Sequence, residues 1–294
     1  MLPIIFFHTG SQLYLKYAIE TANKFNENVF LIGDESNRNF CENWCSINSL
    51  KSEKFEKFKK VYHHMSTNDF KFELECFKRY FLLRELMIKK GINRCILLDS
   101  DVLNFINYSD INQLNDYQVG FSVPNNQSEY DWVASPHIFY CTYEMLDSFI
   151  DFVLDTYINN INKLEEKYKY HIDNKLKGGV CDMTLLFLWS KKVKYYNFYN
   201  AIDIIFDHAV QERNGYKYDK ILLMKKVVIE NNKVFFIKNN SKEKVPVAMI
   251  HFQGSAKSIM GDYFYDRNII VKIYHRYFDI LGRLIKKLKK RITV

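Results

Sequence analysis

Two carboxylates follow an apolar run near residue 100, two positions apart. The run ends at Leu98 and is followed by Asp99, Ser100 and Asp101. In an extended chain, residues i and i+2 point to the same side, so both carboxylates can address one ion. Paired hard oxygens suit Mg²⁺ or Mn²⁺, and ligands of open α/β sheets collect outside the carboxyl ends of the strands. The spacing therefore predicts a divalent metal site that would in turn hold a diphosphate.

The Asp-x-Asp tripeptide is weak evidence by itself, because the same pattern is common in solvated loops. Here it follows a long amphipathic helical pattern over 69–90 and an apolar strand over 95–98, which favours a built site. Phosphatases of the haloacid dehalogenase kind also place Asp-x-Asp after a strand. That resemblance expects Gly-Thr next, near the N-terminus, whereas Val102 and Leu103 follow here. Such a phosphatase is the less favoured enzymatic alternative.

A second candidate segment lies far downstream, after an apolar run over 247–250. It begins at His251 and reaches Gly254 and Lys257 within seven residues. An imidazole can bind a metal, a glycine permits close backbone approach, and a lysine can contact phosphate. A His-x-x-Gly match is common, so the interpretation depends on its position after a buried strand, downstream of the two aspartates.

The periodicity predicts an α/β fold. The first 34 residues read as a strand over 3–7, a helix over 13–25 and a strand over 28–34, the opening of an open α/β sheet. Further strands are predicted over 60–64, 95–98, 118–123, 135–140, 226–230, 234–237 and 247–250, and further helices over 69–90, 144–157, 181–189 and from 266 onward. We expect one domain over 1–265, with a mostly parallel central sheet flanked by helices, and a helical tail over 266–294.

Three motifs in this order carry a resemblance to a known family. They are the strand with Asp99-Ser100-Asp101, the helix start Cys181-Asp182-Met183-Thr184-Leu185-Leu186, and the late His251-Phe252-Gln253-Gly254 with Lys257. Together they resemble glycosyltransferases of the GT-A fold, in particular the retaining family 8-like group of lipopolysaccharide galactosyltransferases and glycogenin. The resemblance spans about residues 1 to 260 as an ordered set of motifs.

The resemblance implies a metal and diphosphate site. By analogy, Asp99, Asp101 and His251 bind Mn²⁺ (or Mg²⁺), and Gly254 and Lys257 grip the donor diphosphate. A basic residue on the preceding helix would contact the donor. Arg79 is the choice for this role, with Arg84 as the alternative, and Ser100 joins the nucleotide-sugar contacts.

The resemblance also implies residues around the sugar and the nucleoside. Asp182 corresponds to an acidic residue near the transferred sugar and is the catalytic candidate. Met183 stands where the family usually has glutamine, which leaves the stereochemical outcome open. The end of the first strand, Phe7, His8 and Thr9, would touch the nucleobase and ribose. Ser135 and His137 would shape the boundary between donor and acceptor, although a structural turn explains them equally well.

The C-terminal helix concentrates positive charge. The formal net charge is +8, and residues 286–291 read Lys-Lys-Leu-Lys-Lys-Arg. This argues against a wholly basic nucleic-acid-binding surface, so no nucleic-acid partner is predicted. The tail presents one broad apolar face with basic residues largely opposite. It is either a packing helix or an interfacial helix attracted to anionic lipid.

Composition predicts a cytoplasmic protein, and the basic tail adds peripheral attachment to the membrane as an option. The six cysteines show neither a disulfide framework nor a second metal-ligand pair, which is typical of buried thiols in a reducing compartment. The start of the sequence lacks a basic, apolar signal region. No apolar run reaches the ~18–20 residues that a membrane helix needs.

The predicted activity is hexosyl transfer from a nucleotide-diphospho-sugar, with UDP as the expected nucleotide, to a hydroxyl acceptor. The acceptor would be a glycan or a lipid-linked molecule in surface polysaccharide synthesis. The non-enzymatic alternative is a carbohydrate-binding or degenerate scaffold that keeps the fold without turnover.

Overall fold

The computed structural model describes residues 1–231, 233–266 and 269–292, and it describes side chains there except at 269, 279, 283 and 286–292. Its strands are β1 (Ile4–His8), β2 (Val29–Gly33), β3 (Asn43–Ser46), β4 (Arg94–Leu98), β5 (Val102–Asn104), β6 (Val119–Ser122), β7 (Ser135–Thr142), β8 (Tyr196–Asn197), β9 (Ile205–Phe206), β10 (Tyr218–Asp219), β11 (Met224–Lys225), β12 (Val227–Glu230), β13 (Lys233–Ile237) and β14 (Lys244–His251). Its α-helices are α1 (Leu13–Phe25), α2 (Glu53–Val61), α3 (Phe70–Lys90), α4 (Tyr143–Asn159), α5 (Asn162–Asp173), α6 (Asp182–Ser190), α7 (Met260–Phe264) and α8 (Ile269–Ile292).

The chain divides into two compact units. The first unit comprises Met1–Gly10, Asn26–Asp99 and Asn107–Asn200, and the second comprises Ser11–Phe25, Ser100–Ile106 and Ala201–Val294. Each unit is described by itself below.

The first unit is built on a seven-stranded sheet in the order β3-β2-β1-β4-β7-β6-β8. Strands β3, β2, β1 and β4 are parallel, β7 is antiparallel to both β4 and β6, and β8 is parallel to β6. Because β1, β2 and β4 are buried along most of their length, they read as continuous apolar runs rather than as alternating patterns. The predicted α/β fold with a largely parallel central sheet and flanking helices is confirmed.

Helix α3 positions the basic residues of the first unit. Asp69 caps its start by accepting from the backbone N–H groups of Lys71 and Phe72, and Gly91 ends it in the left-handed conformation at φ 64°. Its buried face includes Phe77 and Tyr80, which pack into a core rich in aromatic rings. The predicted helix over 69–90 is therefore confirmed, including both of its caps.

The predicted strand over 60–64 is wrong, because α2 extends to Val61. Ser52 caps that helix by accepting from the N–H of Phe55, and Phe55 and Phe58 are buried one turn apart. The acidic first turn and basic last turn of α2 also match the helix dipole. These local signals outweigh the β-propensity of Val61 and Tyr62.

The second unit contains a smaller sheet in the order β12-β13-β14-β5, with β9 parallel to β14. Strand β14 pairs antiparallel with β5, which brings His251 opposite Val102. Helix α1 packs in this unit, where Thr21 accepts a hydrogen bond from the N–H of Asn104 at 3.2 Å. Tyr17 stacks on Phe264 of α7 with ring centroids 5.0 Å apart.

The predicted helical tail is observed as α8 in the second unit. Arg276 is buried and donates to the backbone carbonyl of Ser255 at 2.8 Å. Other apolar side chains of α8 are exposed, among them Tyr277, Phe278 and Leu281. The basic side chains of Arg283 and of residues 286–291 lie outside the described part of the structure. Within the described residues, no helix is both long and apolar enough to cross a membrane.

Candidate active site

Asp99 lies at the end of β4 in the first unit. The preceding residue, Leu98, pairs with Ile138 of the antiparallel strand β7, and the N–H of Asp99 donates to the carbonyl of His137 at 3.0 Å. The aspartate therefore leaves a buried strand with its backbone fixed, while its side chain is 29% exposed. The strand-end placement predicted for this carboxylate is observed.

Arg79 of α3 joins Asp99 to Asp182. Its Nη1 donates to Asp99 Oδ1 at 2.6 Å, and its Nη2 donates to Asp182 Oδ2 in a very short contact. Asp182 is the first residue of α6 and is nearly buried, and Tyr80 donates its hydroxyl to the same oxygen at 3.2 Å. The Oδ1 atom of Asp182 accepts from the N–H of Met183 at 2.9 Å. The result is a carboxylate held rigidly by charge-assisted hydrogen bonds.

The two arginines that the sequence could not separate lie in different surroundings. Arg79 contacts Asp99 and Asp182. Arg84 instead pairs through Nε with Asp147 on α4, next to the Lys54 ammonium that contacts the same carboxylate at 2.7 Å. Among the contacts of the described residues, Arg79 touches two predicted site residues and Arg84 touches none. This favours Arg79, the first choice from the sequence, as the donor-binding residue.

Asp101 belongs to the second unit and is buried, with its side chain 8% exposed. Its carbonyl accepts from the N–H of Phe252 at 2.9 Å, which continues the pairing of β5 with β14. Its Oδ1 lies 3.3 Å from His251 Nε2, and its Oδ2 lies 2.9 Å from Lys257 Nζ. The structure thus brings Asp101 together with two residues that lie 150 and 156 positions downstream of it in the sequence.

The Asp101 carboxyl is strongly biased toward its charged form. Burial alone would raise its pKa, but the nearby charges and hydrogen bonds of His251 and Lys257 outweigh that effect and hold the pKa well below its usual range. The pKa of the Tyr14 phenol is raised, chiefly by burial and in addition by the negative charge of Asp101. A buried anion in this position is suited to bind cations.

The orientation of the His251 ring is fixed by a backbone group. Its Nδ1 lies 2.5 Å from the carbonyl oxygen of His208. Because a carbonyl can only accept, Nδ1 carries the proton, and in the neutral ring Nε2 then offers a lone pair toward Asp101. The protonated ring donates from Nε2 toward Asp101 Oδ1 across 3.3 Å, whereas in the neutral ring these two atoms are both acceptors. Such a pair needs a proton or a metal cation between its members.

These donors fit a divalent ion. Asp101 supplies a hard oxygen and His251 an imidazole nitrogen whose second nitrogen is already hydrogen-bonded, as in most protein metal sites. Asp99, at the end of the first unit, precedes Asp101 by two positions in the sequence. With its oxygen and nitrogen donors, the set suits Mn²⁺ as well as Mg²⁺.

The other residues predicted for nucleotide binding lie at two loops. Phe7 and His8 end β1 and are partly buried, and Thr9 follows them exposed. This loop is fixed by Asn37, whose side-chain amide donates to the carbonyls of His8 and Gly10, both at 2.9 Å. In the second unit, Gly254 adopts φ 58° with no atom within 4 Å of where a Cβ would lie, so its backbone face is open to a ligand.

Ser135 and His137 are buried within strand β7. The Ser135 hydroxyl lies 2.8 Å from His137 Nδ1, and both side chains are at most 5% exposed. The carbonyl of His137 fixes Asp99, as described above. This location is compatible with a structural contribution to the Asp99 strand end.

Sequence reasoning missed the residues behind His251. Asp207, His208 and Lys225 lie in segments without a recognised motif, yet all three contact His251 or a group bound to it. A carbonyl such as that of His208 has no sequence signal. The acidic and basic residues could have been flagged only as charged residues next to apolar strands.

Comparison with known proteins gives matches among solved structures only. No protein-family model matches the chain, and no curated protein matches its sequence. Mouse xyloside xylosyltransferase 1 in its apo form resembles it with a TM-score of 0.47 at 11% identity, over 67% of this chain and 84% of that one.

Two further neighbours have similar identities and TM-scores. An active-site mutant of the galactosyltransferase LgtC gives a TM-score of 0.44 at 14% identity, over 86% of this chain and 88% of that one. The glycosyltransferase GlyE of Streptococcus pneumoniae TIGR4 gives 0.38 at 12% identity, over 68% and 45%. These neighbours are glycosyltransferases, the class that the motifs predict. TM-scores of this size support no conclusion about substrates or site residues, so the chemistry is inferred from the chain's own residues.

Proposed function

We propose that this protein is a metal-dependent glycosyltransferase that moves a hexose from a nucleotide-diphospho-sugar, UDP-linked, to a hydroxyl group. The observation that carries the proposal is the pair formed by Asp101 Oδ1 and His251 Nε2 at 3.3 Å, with the other nitrogen of His251 held by a carbonyl. Two acceptors in this arrangement, preceded by the Asp99 carboxylate, are a binding site for Mn²⁺ or Mg²⁺.

The groups next to this pair suit a diphosphate. The Lys257 ammonium lies against Asp101 and its side chain is 35% exposed, so a phosphate oxygen can reach it from solvent. Gly254 leaves its backbone open in the same turn. When bound, the metal would neutralise the charge that develops on the nucleoside diphosphate as it leaves. Ser100, between the two aspartates, would add a contact to the nucleotide sugar.

Arg79 and Asp182 would act on the transferred sugar. The Asp182 carboxylate is fixed by Arg79, Tyr80 and its own neighbouring N–H, so it can hold a sugar hydroxyl in one orientation. Arg79 would add positive charge near the departing diphosphate. Phe7, His8 and Thr9 would contact the nucleoside, and Ser135 and His137 would support the acceptor boundary from inside β7.

The acceptor and the location are inferred from the tail. Helix α8 exposes Tyr277, Phe278, Leu281 and Leu284, each more than half exposed, and the sequence ends in a basic run. An apolar face followed by lysines suits the surface of an anionic membrane. We therefore propose a cytoplasmic enzyme, peripheral on the membrane, acting on a glycan or lipid-linked acceptor of a surface polysaccharide.

A screen of nucleotide sugars tests the proposed activity. Purified protein is incubated with UDP-, GDP-, ADP- and CMP-linked sugars, with Mn²⁺ or with EDTA, and release of the nucleotide is measured. We expect release from a UDP-sugar that requires the metal and is lost in Asp101→Ala. A protein that binds the sugar nucleotide but never releases the nucleotide with any acceptor would be the scaffold alternative. Metal-independent release of inorganic phosphate would support the phosphatase.

A further inference from the structure

A buried ion pair lies behind His251 in the second unit. Lys225 Nζ donates to Asp207 Oδ1 at 2.6 Å, and the two side chains are only 2% and 1% exposed. Lys225 also donates to the carbonyl of Ala209 at 2.7 Å. A charged pair removed from water in this way is rarely a net source of stability, so its presence calls for another explanation.

Residues 207–210 bind His251 at its backbone N–H, at its backbone carbonyl and at one ring nitrogen. The second oxygen of Asp207 accepts from the N–H of His251 at 3.3 Å, and the carbonyl of His208 takes the imidazole Nδ1. The N–H of Val210 donates to the carbonyl of His251 at 3.0 Å. Every backbone group of His251, and the ring nitrogen turned away from Asp101, is therefore bound by residues 207–210.

Lys225 holds residues 207–210 through its ammonium and through its backbone N–H. Its ammonium joins the Asp207 carboxylate to the Ala209 carbonyl, one residue to each side of His208. Its backbone N–H donates to the carbonyl of Val210 at 2.7 Å. The His208 carbonyl, which accepts from Nδ1 of His251, thus lies inside a loop held by Lys225.

We propose that Lys225 and Asp207 are positioning residues that keep His251 Nε2 directed at the metal position beside Asp101. This inference rests on the proposed function, because it assigns the pair a role in metal binding. Without the contacts that Lys225 makes with residues 207–210, this segment would relax. The His251 imidazole could then rotate about its χ angles. A partner that orients a metal-binding histidine typically contributes about 10- to 100-fold to metal affinity.

The test compares Mn²⁺ binding in the wild type and four variants, one of them His251→Ala, by electron paramagnetic resonance, with the ¹⁴N coupling of the bound ion as a second readout. The paired change Asp207→Asn with Lys225→Met removes both charges, so neither is left buried alone. Asp207→Asn alone is a second variant, whose amide oxygen can still accept from Lys225 and from the N–H of His251, although the Lys225 charge then lacks its partner. The control is Glu230→Gln with Lys244→Met, an exposed pair at the same 2.6 Å distance that also involves β14.

We expect the wild type and the control to bind Mn²⁺ equally, with ¹⁴N coupling. The paired variant should melt cooperatively, bind Mn²⁺ at least about tenfold more weakly and lose the coupling, as His251→Ala does. If the paired variant does not fold, Asp207→Asn alone must show a smaller loss of the same kind. Wild-type affinity and coupling in the folded variants would overturn the positioning role alone. A wild type that binds no Mn²⁺ would overturn the proposed function and this inference with it.

Discussion

Arg79 and Asp182 are 103 positions apart in the sequence and form a partly buried ion pair in the first unit. A second guanidinium nitrogen of Arg79 holds Asp99, so one arginine bridges two carboxylates. Because buried carboxylates repel each other when unpaired, the position of Asp182 depends on this residue. The arginine is therefore both a structural partner and, in the proposed function, a donor-binding residue.

Replacing Arg79 by methionine should destabilise the protein and abolish sugar transfer. The loss of one partner of a buried pair typically costs about 3–5 kcal/mol, because the remaining charge is left without compensation. Urea unfolding measures the stability, and nucleotide release measures the activity. The matched control is Arg84→Met, which breaks the contact with Asp147 on α4 but leaves Asp182 untouched. Equal activity in both variants would show that Arg79 has no special role.

Asp182→Asn should depress kcat while leaving nucleotide affinity nearly unchanged. The amide keeps the size of the side chain but loses the charge, so the orientation of the sugar should suffer more than binding of the diphosphate. Tyr80→Phe removes only the hydroxyl that donates to the same oxygen, and we expect it to cost about 1 kcal/mol of stability with a modest loss of kcat. An unchanged kcat in Asp182→Asn would reduce the residue to a favourable charge at the start of α6.

The Asp101 carboxyl should make stability depend on pH in the acid range. Its pKa is lowered in the folded protein, because His251 and Lys257 outweigh the opposing effect of burial. A group whose pKa is lowered by folding stabilises the protein above its unfolded value, about 3.9, and that contribution is lost as the pH falls below it. The free energy of unfolding should therefore decrease as the pH is lowered from about 4 toward 2.

Urea unfolding in EDTA at several pH values measures this contribution. Asp101→Asn should show a shallower decline below about pH 4 than the wild type, because the titrating group is gone. Asp203→Asn, at an exposed position in the same unit, is the control and should keep the wild-type slope. Parallel curves for Asp101→Asn and the wild type would mean that His251 and Lys257 do not hold this carboxylate.

Much of the fold could be predicted because its local signals agree with its packing. Helix α3 combines an apolar stripe, Asp69 at its start and Gly91 at its end, and each signal alone gives the same boundaries. The strand wrongly predicted over 60–64 had the opposite character. There, the cap at Ser52 and the spacing of Phe55 and Phe58 indicated a helix, and a short β-prone run obscured it.

The candidate site likewise contains some residues that the sequence could indicate and others that it could not. Asp99, Asp101, His251 and Lys257 could be proposed because their order along the chain, each motif after an apolar run, resembles a known family. The ion pair of Asp207 and Lys225 could not, because it depends on backbone carbonyls and on pairings between segments that no local pattern encodes. The choice between Arg79 and Arg84 also required the structure, since both lie on the same helix.

The tail should bind anionic membranes. Deleting residues 284–294 removes the end of the apolar face and the basic run together, and we expect the truncated protein to lose binding to phosphatidylserine vesicles while keeping hydrolysis of the soluble donor. Cosedimentation measures the binding, with neutral vesicles as the control. Raising salt should weaken it, because exposed charges are screened over ~8–10 Å at ~0.10–0.15 M ionic strength. An intact protein that ignores anionic vesicles at low salt would identify α8 as a packing helix.

Calorimetric titration of UDP into the protein tests the central claim most directly. With Mn²⁺ present, the wild type should bind UDP, and both EDTA and Asp101→Ala should weaken the binding by at least about tenfold, because the diphosphate is held through the metal. His251→Ala should weaken it less, since the aspartates and the diphosphate remain as ligands. Equal UDP affinity in Mn²⁺ and in EDTA, undiminished in Asp101→Ala, would contradict the account.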